Sequence, residues 1–353
     1  MSTSISKSNL VSLSGEENGV VAEALTRYEL PVGERNILRN TVGYVNKTYI
    51  IEIGAEKFVL RRSSTLTAPE HLEFEVEVLR YLESTGYPLS PRLLANKEGA
   101  YLTDVQGSVW MLQSFIIGEI RASWNNVEHF EGEMLRNFFR ASAEFTKAAQ
   151  RFKPSKKYSN FPLPYYTKNA EELLSGLITR LHDSPGKAFL LEQKQNLLDF
   201  AQETQKKFEE FGWETLPQQL VHFDFHPGNV HYEGEKVVGV FDFDWARMDC
   251  RVTEIAGSIG QTCWVVRGPE SGLYIKSKVD EGVHAYREAY GKSEFSLEEE
   301  RQLIQVGLKG YMFFQLLWAG EWYQERYPDV AESWVVELNA NACLRNDYEA
   351  LFS

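Results

Sequence analysis

Residues 221–246 read VHFDFHPGNVHYEGEKVVGVFDFDWA, and the fold turns on this stretch. Pro227 and Gly228 break an apolar, strand-like run into a tight loop, and Glu233-Gly234-Glu235 supplies a turn between Val230 to Tyr232 and Val237 to Phe241. Closing a hairpin about that turn brings Asn229 opposite the Val240 to Asp242 end. Asn229 and Asp242 then face one site, with Asp224 on the loop just before it. Polar groups at otherwise buried strand positions are costly unless something offsets them. Two carboxylates and an amide oxygen converging on a loop edge suit a hard divalent cation such as magnesium, which takes oxygen ligands and shares them with phosphates. A transition-metal site at His222, Asp224 and His226, alternating on one strand face, would leave Asn229 and Asp242 without a role.

Outward from this segment the hydrophobic period changes along the chain. Residues 36–62 alternate as short strands: Ile37 to Thr41, Thr48 to Ile53 and Lys57 to Arg62, with turns at Gly43 and Gly54. Pro69 opens a helix through Leu82, and Gly99 to Thr103 and Val109 to Ile117 complete a lobe of sheet plus one helix. From about Gly118 the pattern is helical: Glu133 to Arg151, Asn169 to His182, Phe189 to Phe211, then Arg251 to Trp264, Gly272 to Tyr290, Leu297 to Tyr327 and Ala331 to Ala350. Residues 153–164, KPSKKYSNFPLP, read as a loop. The expected architecture is α+β, with a small antiparallel sheet lobe over 1–115, a hinge near 114–118, and a larger, mainly helical lobe over 116–353 carrying one inserted β segment.

Composition narrows the function. The chain has 353 residues with a formal net charge of −13, which disfavours nucleic acid and anionic membranes and favours cationic ligands. Cys250, Cys263 and Cys343 are widely spaced with no C-x-x-C pair, so neither a disulfide framework nor a structural zinc site is expected. With no signal-like N-terminus and no apolar run of roughly 18 residues, a reducing cytoplasm is the expected location.

His222, Asp224 and Asn229 in H-x-D-x-x-x-x-N spacing, followed by Asp242-Phe243, stand in the order described for kinases: catalytic base, metal-binding Asn, metal-binding Asp. The segment resembles the phosphotransferase family that includes aminoglycoside phosphotransferases, choline kinases, fructosamine kinases and homoserine kinases of the protein-kinase-like fold. TVGYVNKTYIIEI at 41–53 is similar to that family's nucleotide-covering hairpin, and KFVLRRS at 57–63 to its phosphate-pairing strand. The resemblance implies a two-lobed kinase using ATP and Mg2+, with Gly43 and Asn46 in the covering hairpin, Arg61 in place of the usual lysine and Glu75 as its helix partner. It also implies an adenine-holding hinge at Gln113 to Ile116, which includes Phe115. Asp224 is implied as the base and Asn229 and Asp242 as metal ligands. His222 is implied to brace the loop. Asp244 is either a second metal neighbour or a loop cap.

Three positions depart from the family pattern. Phe223 and Phe225 replace a small residue and a leucine, Arg61 offers a planar fork where lysine offers a point charge, and Glu254 stands where an aspartate usually braces the catalytic loop. The aromatic cluster of Trp318, Glu321, Trp322, Trp264 and Tyr311 lines either an amine pocket or the core.

The expected activity is transfer of the γ-phosphoryl group of ATP to a hydroxyl of an amine-containing small molecule, of aminoglycoside, choline or homoserine type. The alternative is a catalytically weak, kinase-like nucleotide-binding protein with a regulatory role. A protein kinase fits less well, because no A-P-E signature follows Asp242.

Overall fold

The structure, a computed structural model, describes residues 10–13, 15–40, 46–64, 67–123, 125–158, 161–326 and 333–353, with 320–326 and 333 as backbone alone. In chain order the first elements are β1 (Leu10–Ser12), α1 (Gly15–Thr26), β2 (Arg35–Asn40), β3 (Lys47–Ile53), β4 (Glu56–Arg62), α2 (Pro69–Ser84), β5 (Leu93–Leu94), β6 (Thr103–Val105) and β7 (Ser108–Ser114). There follow α3 (Gly132–Ala149), α4 (Leu163–Lys168), α5 (Ala170–Arg180), α6 (Pro185–Glu210), β8 (Gln218–Val221), β9 (Val230–Glu233), β10 (Lys236–Val240) and β11 (Arg247–Cys250). The last are α7 (Val252–Thr262), α8 (Lys276–Tyr290), α9 (Leu297–Arg326), α10 (Ser333–Leu344) and α11 (Tyr348–Phe352). The fold is α+β, and the chain divides into two compact units.

The first unit comprises Met1–Ala122, Pro154–Tyr158 and Gly228–Ala246. Its antiparallel sheet runs β1-β2-β3-β4-β7-β5, with β6 paired to β7. Alternation along β3 and β4 sends Tyr49, Ile51, Ile53, Phe58 and Leu60 to one face. There they pack with Trp110 and Leu112 of β7 and with Val21, Ala24, Leu25 and Tyr28 from α1 and its C-terminal end. No element before residue 36 is expected from the sequence, and α1 is an addition. Its stripe at 21, 24, 25 and 28 is short and diluted by Gly15 and Gly19, and the sheet face supplies the burial that propensity does not.

The strand expected at Gly99 to Thr103 starts only at Thr103. Asn96 accepts the backbone N–H groups of Glu98 and Ala100 through its side chain, and Gly99 takes a φ of 83°, so 96–100 is a turn. The β9–β10 hairpin closes at Gly234, whose φ is 62°. It joins the rest of its unit through Tyr232 and Glu119, which exchange N–H···O bonds of 2.8 and 2.9 Å, and through Val240 N donating to Leu89 O at 2.7 Å. A Cβ at Gly239 would stand 2.4 Å from the Ile116 side chain, so that close approach requires glycine.

The second unit comprises Ser123–Lys153, Ser159–Pro227 and Arg247–Ser353. The two-stranded β8–β11 ladder pairs Val221 with Arg247 and Gln218 with Cys250, and α3 packs against β8. Every residue of α7 is buried. Its Gly257 and Gly260 leave room for the ring of Tyr311 on α9, which a Cβ at either position would meet at 3.0 to 3.1 Å.

Several expected boundaries move. The 153–164 loop ends in α4, which starts at Leu163 behind Pro162. α8 begins at Lys276 rather than Gly272, because Gly272 has a φ of 87° and its N–H bonds back to Val265. The final helix expected over 331–350 is two helices, with the Asp347 carboxylate accepting Ala350 N at 3.0 Å to cap the second.

Candidate functional site

In the first unit, β4 and α2 deliver opposite charges to one point. Arg61 is buried, while its neighbour Arg62 turns to the other face and donates to Ser108 Oγ at 2.6 and 3.0 Å. Glu75 lies on the buried stripe of α2 with Leu72, Val78, Leu79 and Leu82 and pairs with Arg61. Arg61 Nη1 also donates to Asp242 Oδ1 at 3.1 Å, joining residues 181 positions apart in the chain. Burial alone would favour the neutral guanidine, but Glu75, Asp242 and Asp244 outweigh it and hold Arg61 more firmly protonated than usual.

Asp242 follows β10 in a left-handed conformation, φ 66° and ψ 65°, which aspartate tolerates better than most residues. Its side chain keeps 36% exposure in a cluster whose other members are buried. Phe241 N donates to Asn229 O at 3.1 Å, so Asn229 stands across the hairpin from the residue preceding Asp242. Asn46 Nδ2 donates to Asp244 Oδ2 at 3.1 Å while its Oδ1 accepts Ser64 N at 3.1 Å. Asp244 is therefore bound to the segment that leads into β3, whichever of its two expected roles it takes. The side-chain oxygens of Asn229, Asp242 and Asp244 are hard donors, suited to magnesium and unsuited to soft metals. Among the described residues no group of three or more His, Cys, Asp or Glu could hold a metal by itself.

Gln113 and Phe115 do not join that cluster. They lie further along β7 and beyond it, opposite Val59 and Lys57 rather than Arg61. Gln113 is buried, and Lys57 Nζ lies 5.7 Å from the centre of the Phe115 ring. Gly43 lies outside the described residues. His231, to which the sequence reading gave no role, contacts Ile116 O through Nδ1 at 2.9 Å and sets its ring 6.4 Å from that of Phe115. Burial lowers its pKa, and the Ile116 carbonyl offsets only part of that. It fixes the 115–117 segment as a neutral side chain.

In the second unit the chain leaves β8 at Val221, so residues 222–226 are loop and not the strand face on which His222, Asp224 and His226 were expected to alternate. Phe223 takes a φ of 70°. Glu254, on α7, accepts His222 N at 2.6 Å and Phe223 N at 3.4 Å, so the glutamate reaches the loop backbone despite its extra methylene. Burial drives the Glu254 carboxyl up to about 8, the two N–H donors pull it down, and the negative charge of Asp224 pushes it further up. His222 is fully buried with its ring edge-on to Phe145 and Phe225. The Asp224 carboxylate is partly exposed, with His226 Nε2 at 3.6 Å. Tyr311 accepts hydrogen bonds from Gln261 at 3.0 Å and Gln315 at 2.8 Å and is fully buried, so it belongs to the core between α7 and α9. Trp264 is buried and Trp318 half-buried, while the side chains of Glu321 and Trp322 lie outside those described.

Comparison with known proteins gives consistent findings. The family described as "Phosphotransferase enzyme family" matches residues 36–301. Homoserine kinase of Zymomonas mobilis is 23% identical over 288 residues, 80% of each chain. Homoserine kinase of Brucella canis is 23% identical over 228 residues, 63% of this chain and 62% of that one. Among solved structures, a microcompartment-associated aminopropanol kinase superposes with a TM-score of 0.63 at 16% identity, covering 92% of this chain and 95% of that one. An amicoumacin kinase in complex with AMP-PNP and Ca2+ gives 0.64 at 15% identity, covering 95% and 97%. An aminoglycoside phosphotransferase from Alicyclobacillus acidocaldarius gives 0.61 at 17%, covering 97% and 95%. At these identities the structural likeness is one of fold, the two-lobed kinase-like fold.

Proposed function

The chain belongs to the phosphotransferase enzyme family, matched over residues 36–301, and from that premise we propose that it transfers the γ-phosphoryl group of ATP to a hydroxyl of an amine-bearing small molecule, with magnesium as the metal. That it is a small-molecule phosphotransferase acting on an alcohol group follows from the family. The finer claims are ours. In this reading residues 1–115 bind the nucleotide and 116–353 carry the catalytic and acceptor-binding residues.

The observation that carries the proposal is Arg61, buried and charged between Glu75 and Asp242. A cation oriented this firmly serves phosphate recognition, since a guanidinium fork offers several donors in one plane. Asn229 and Asp242 would hold the metal, which when bound neutralises phosphate charge as transfer proceeds. Asp224, five residues before Asn229 in the chain, would orient the acceptor hydroxyl and take its proton. Glu75 would keep Arg61 in place, Asn46 would tie the covering hairpin to Asp244, and the Gln113 to Phe115 backbone would receive the adenine. An amine on the acceptor is favoured by the acidic chain and by the named substrates of the similar proteins, homoserine and aminopropanol, each of which carries an amine and a hydroxyl.

The test is acceptor-dependent ADP release across amino alcohols, homoserine, choline, aminoglycosides and sugars, for the wild type and Asp224→Asn. With the best acceptor the substitution should cost about 10²- to 10⁴-fold in kcat and leave nucleotide affinity within a few-fold. Full turnover in the variant would remove Asp224 from the mechanism. A wild type inactive on every class would favour the nucleotide-binding, non-catalytic alternative.

A further inference from the structure

Residue 223 precedes Asp224 and has a φ of 70°, a conformation natural to glycine and strained for a large side chain. A phenylalanine held there needs neighbours that over-determine it. Two sets of contacts do so. The backbone is held by Glu254 through the N–H groups of His222 and Phe223. The ring is enclosed by aromatic edges, Tyr311 at 5.4 Å and Phe314 at 4.8 Å between centroids, and is covered by the guanidinium of Arg247 at 3.5 Å from its centre.

Arg247 is itself fixed. It is buried on β11 opposite Val221, the last residue of β8 before the loop. Its Nη1 donates to Phe161 O at 2.8 Å and to Tyr166 Oη at 3.3 Å, and it also lies 5.5 Å from the Phe314 ring. The guanidinium thus lies over the Phe223 ring from an anchored, buried position, a desolvated cation–π contact of the stronger kind. A lysine could not reproduce it, since its ammonium is a point charge without the flat face of a guanidinium.

We infer that Arg247 is a positioning residue for phosphoryl transfer: by clamping the Phe223 ring it holds residue 223 in the left-handed backbone conformation that presents Asp224. The inference rests on the proposed role of Asp224 and extends it to a buried side chain that acts through residue 223. It also explains how this chain carries phenylalanine at 223, where φ alone would call for glycine.

The experiment is a double-mutant cycle between Arg247→Met and Phe223→Gly, read by kinetics with the best acceptor and by amide hydrogen exchange of residues 220–226. Methionine fills similar volume without charge or plane. Arg247→Met should speed exchange at 222–224 while leaving the β9–β10 hairpin unchanged, and should lower kcat about tenfold with the KM for ATP within about twofold. Because glycine adopts a positive φ without strain, the effect of Arg247→Met on kcat should fall to about twofold or less in the Phe223→Gly background. Arg247→Lys should recover little. Equal losses in both backgrounds would overturn the inference, because they would mark Arg247 as part of the general packing. Unchanged exchange in the single variant would overturn it as well. If the wild type turns over no acceptor, the proposed function fails, and the exchange measurement alone decides the role of Arg247.

Discussion

Replacing Glu254 by glutamine tests whether the brace of the 222–226 loop is a buried acid rather than a buried anion. The Glu254 carboxyl sits fully inside the second unit, with Oε2 on two backbone N–H groups and Oε1 lacking a hydrogen-bond partner among the described residues. Charged or ionisable neighbours approach it from the loop and from two helices: Asp224, Tyr286 of α8 and Tyr311 of α9. Hydrogen bonds from His222 and Phe223 favour the anion, but desolvation outweighs them and the folded pKa rises from 4.5 to about 8. At about 1.4 kcal/mol per pH unit, that rise corresponds to at most about 5 kcal/mol.

The sign follows from proton linkage. Between the two pKa values the folded chain holds a proton that the unfolded chain has released, so stability from this group is full below about pH 4.5. It is lost progressively as the pH rises through about 8. Glutamine has no such titration, and its amide oxygen can still accept from His222 N and Phe223 N. Urea unfolding of wild type and Glu254→Gln at intervals from about pH 5 to pH 9 isolates the group, since other titrations cancel in the difference. The variant should gain on the wild type by at least about 2 kcal/mol across that range, with the steepest change above pH 5 and a plateau beyond about pH 8. A difference that stays flat would mean that Glu254 is ionised throughout and that the two N–H donors outweigh burial.

Three further outcomes follow from contacts in the structure. Glu75→Gln leaves the buried Arg61 without its buried carboxylate partner and should cost about 3 to 5 kcal/mol in chemical unfolding, with ATP binding weakened more than adenosine binding, measured calorimetrically. Equal losses for both ligands would detach Arg61 from the phosphates. Asp242→Asn keeps a side chain that tolerates the left-handed backbone but removes the charge, so nucleotide binding should lose its dependence on divalent cation in titrations with and without magnesium. Gly282→Ala places a Cβ 2.4 Å from the Phe139 ring between α8 and α3 and should lower stability by about 1 to 3 kcal/mol in thermal unfolding, although no active-site group is touched.

Much of the site was legible in the order of residues. Pro227-Gly228 and Glu233-Gly234-Glu235 are local turn signals, and the hairpin they close is the one in which Phe241 N meets Asn229 O. The meander of β2, β3 and β4 was equally plain, because strand alternation is a property of neighbours. Arg61, Glu75 and Asp242 could be nominated one by one from their motifs. Their meeting could not be read from sequence, since it depends on a sheet position, a helix face and a hairpin end separated by up to 181 residues. The same holds for α1, whose apolar stripe is too short to specify a helix until the sheet gives it a face to cover.

Sequence by itself determined which residue types are present for phosphoryl transfer, and in what order, because turn chemistry and period are short-range. Tertiary structure alone decided their electrical and conformational state. The Glu254 carboxyl is pushed up to about 8 because it lies in α7, every residue of which is buried away from water. Arg61 stays charged because three carboxylates converge on it. Phe223 holds a glycine-like backbone because Arg247, Tyr311 and Phe314 enclose its ring. Burial and convergence are sums over distant parts of the chain, and no local stretch of sequence contains them.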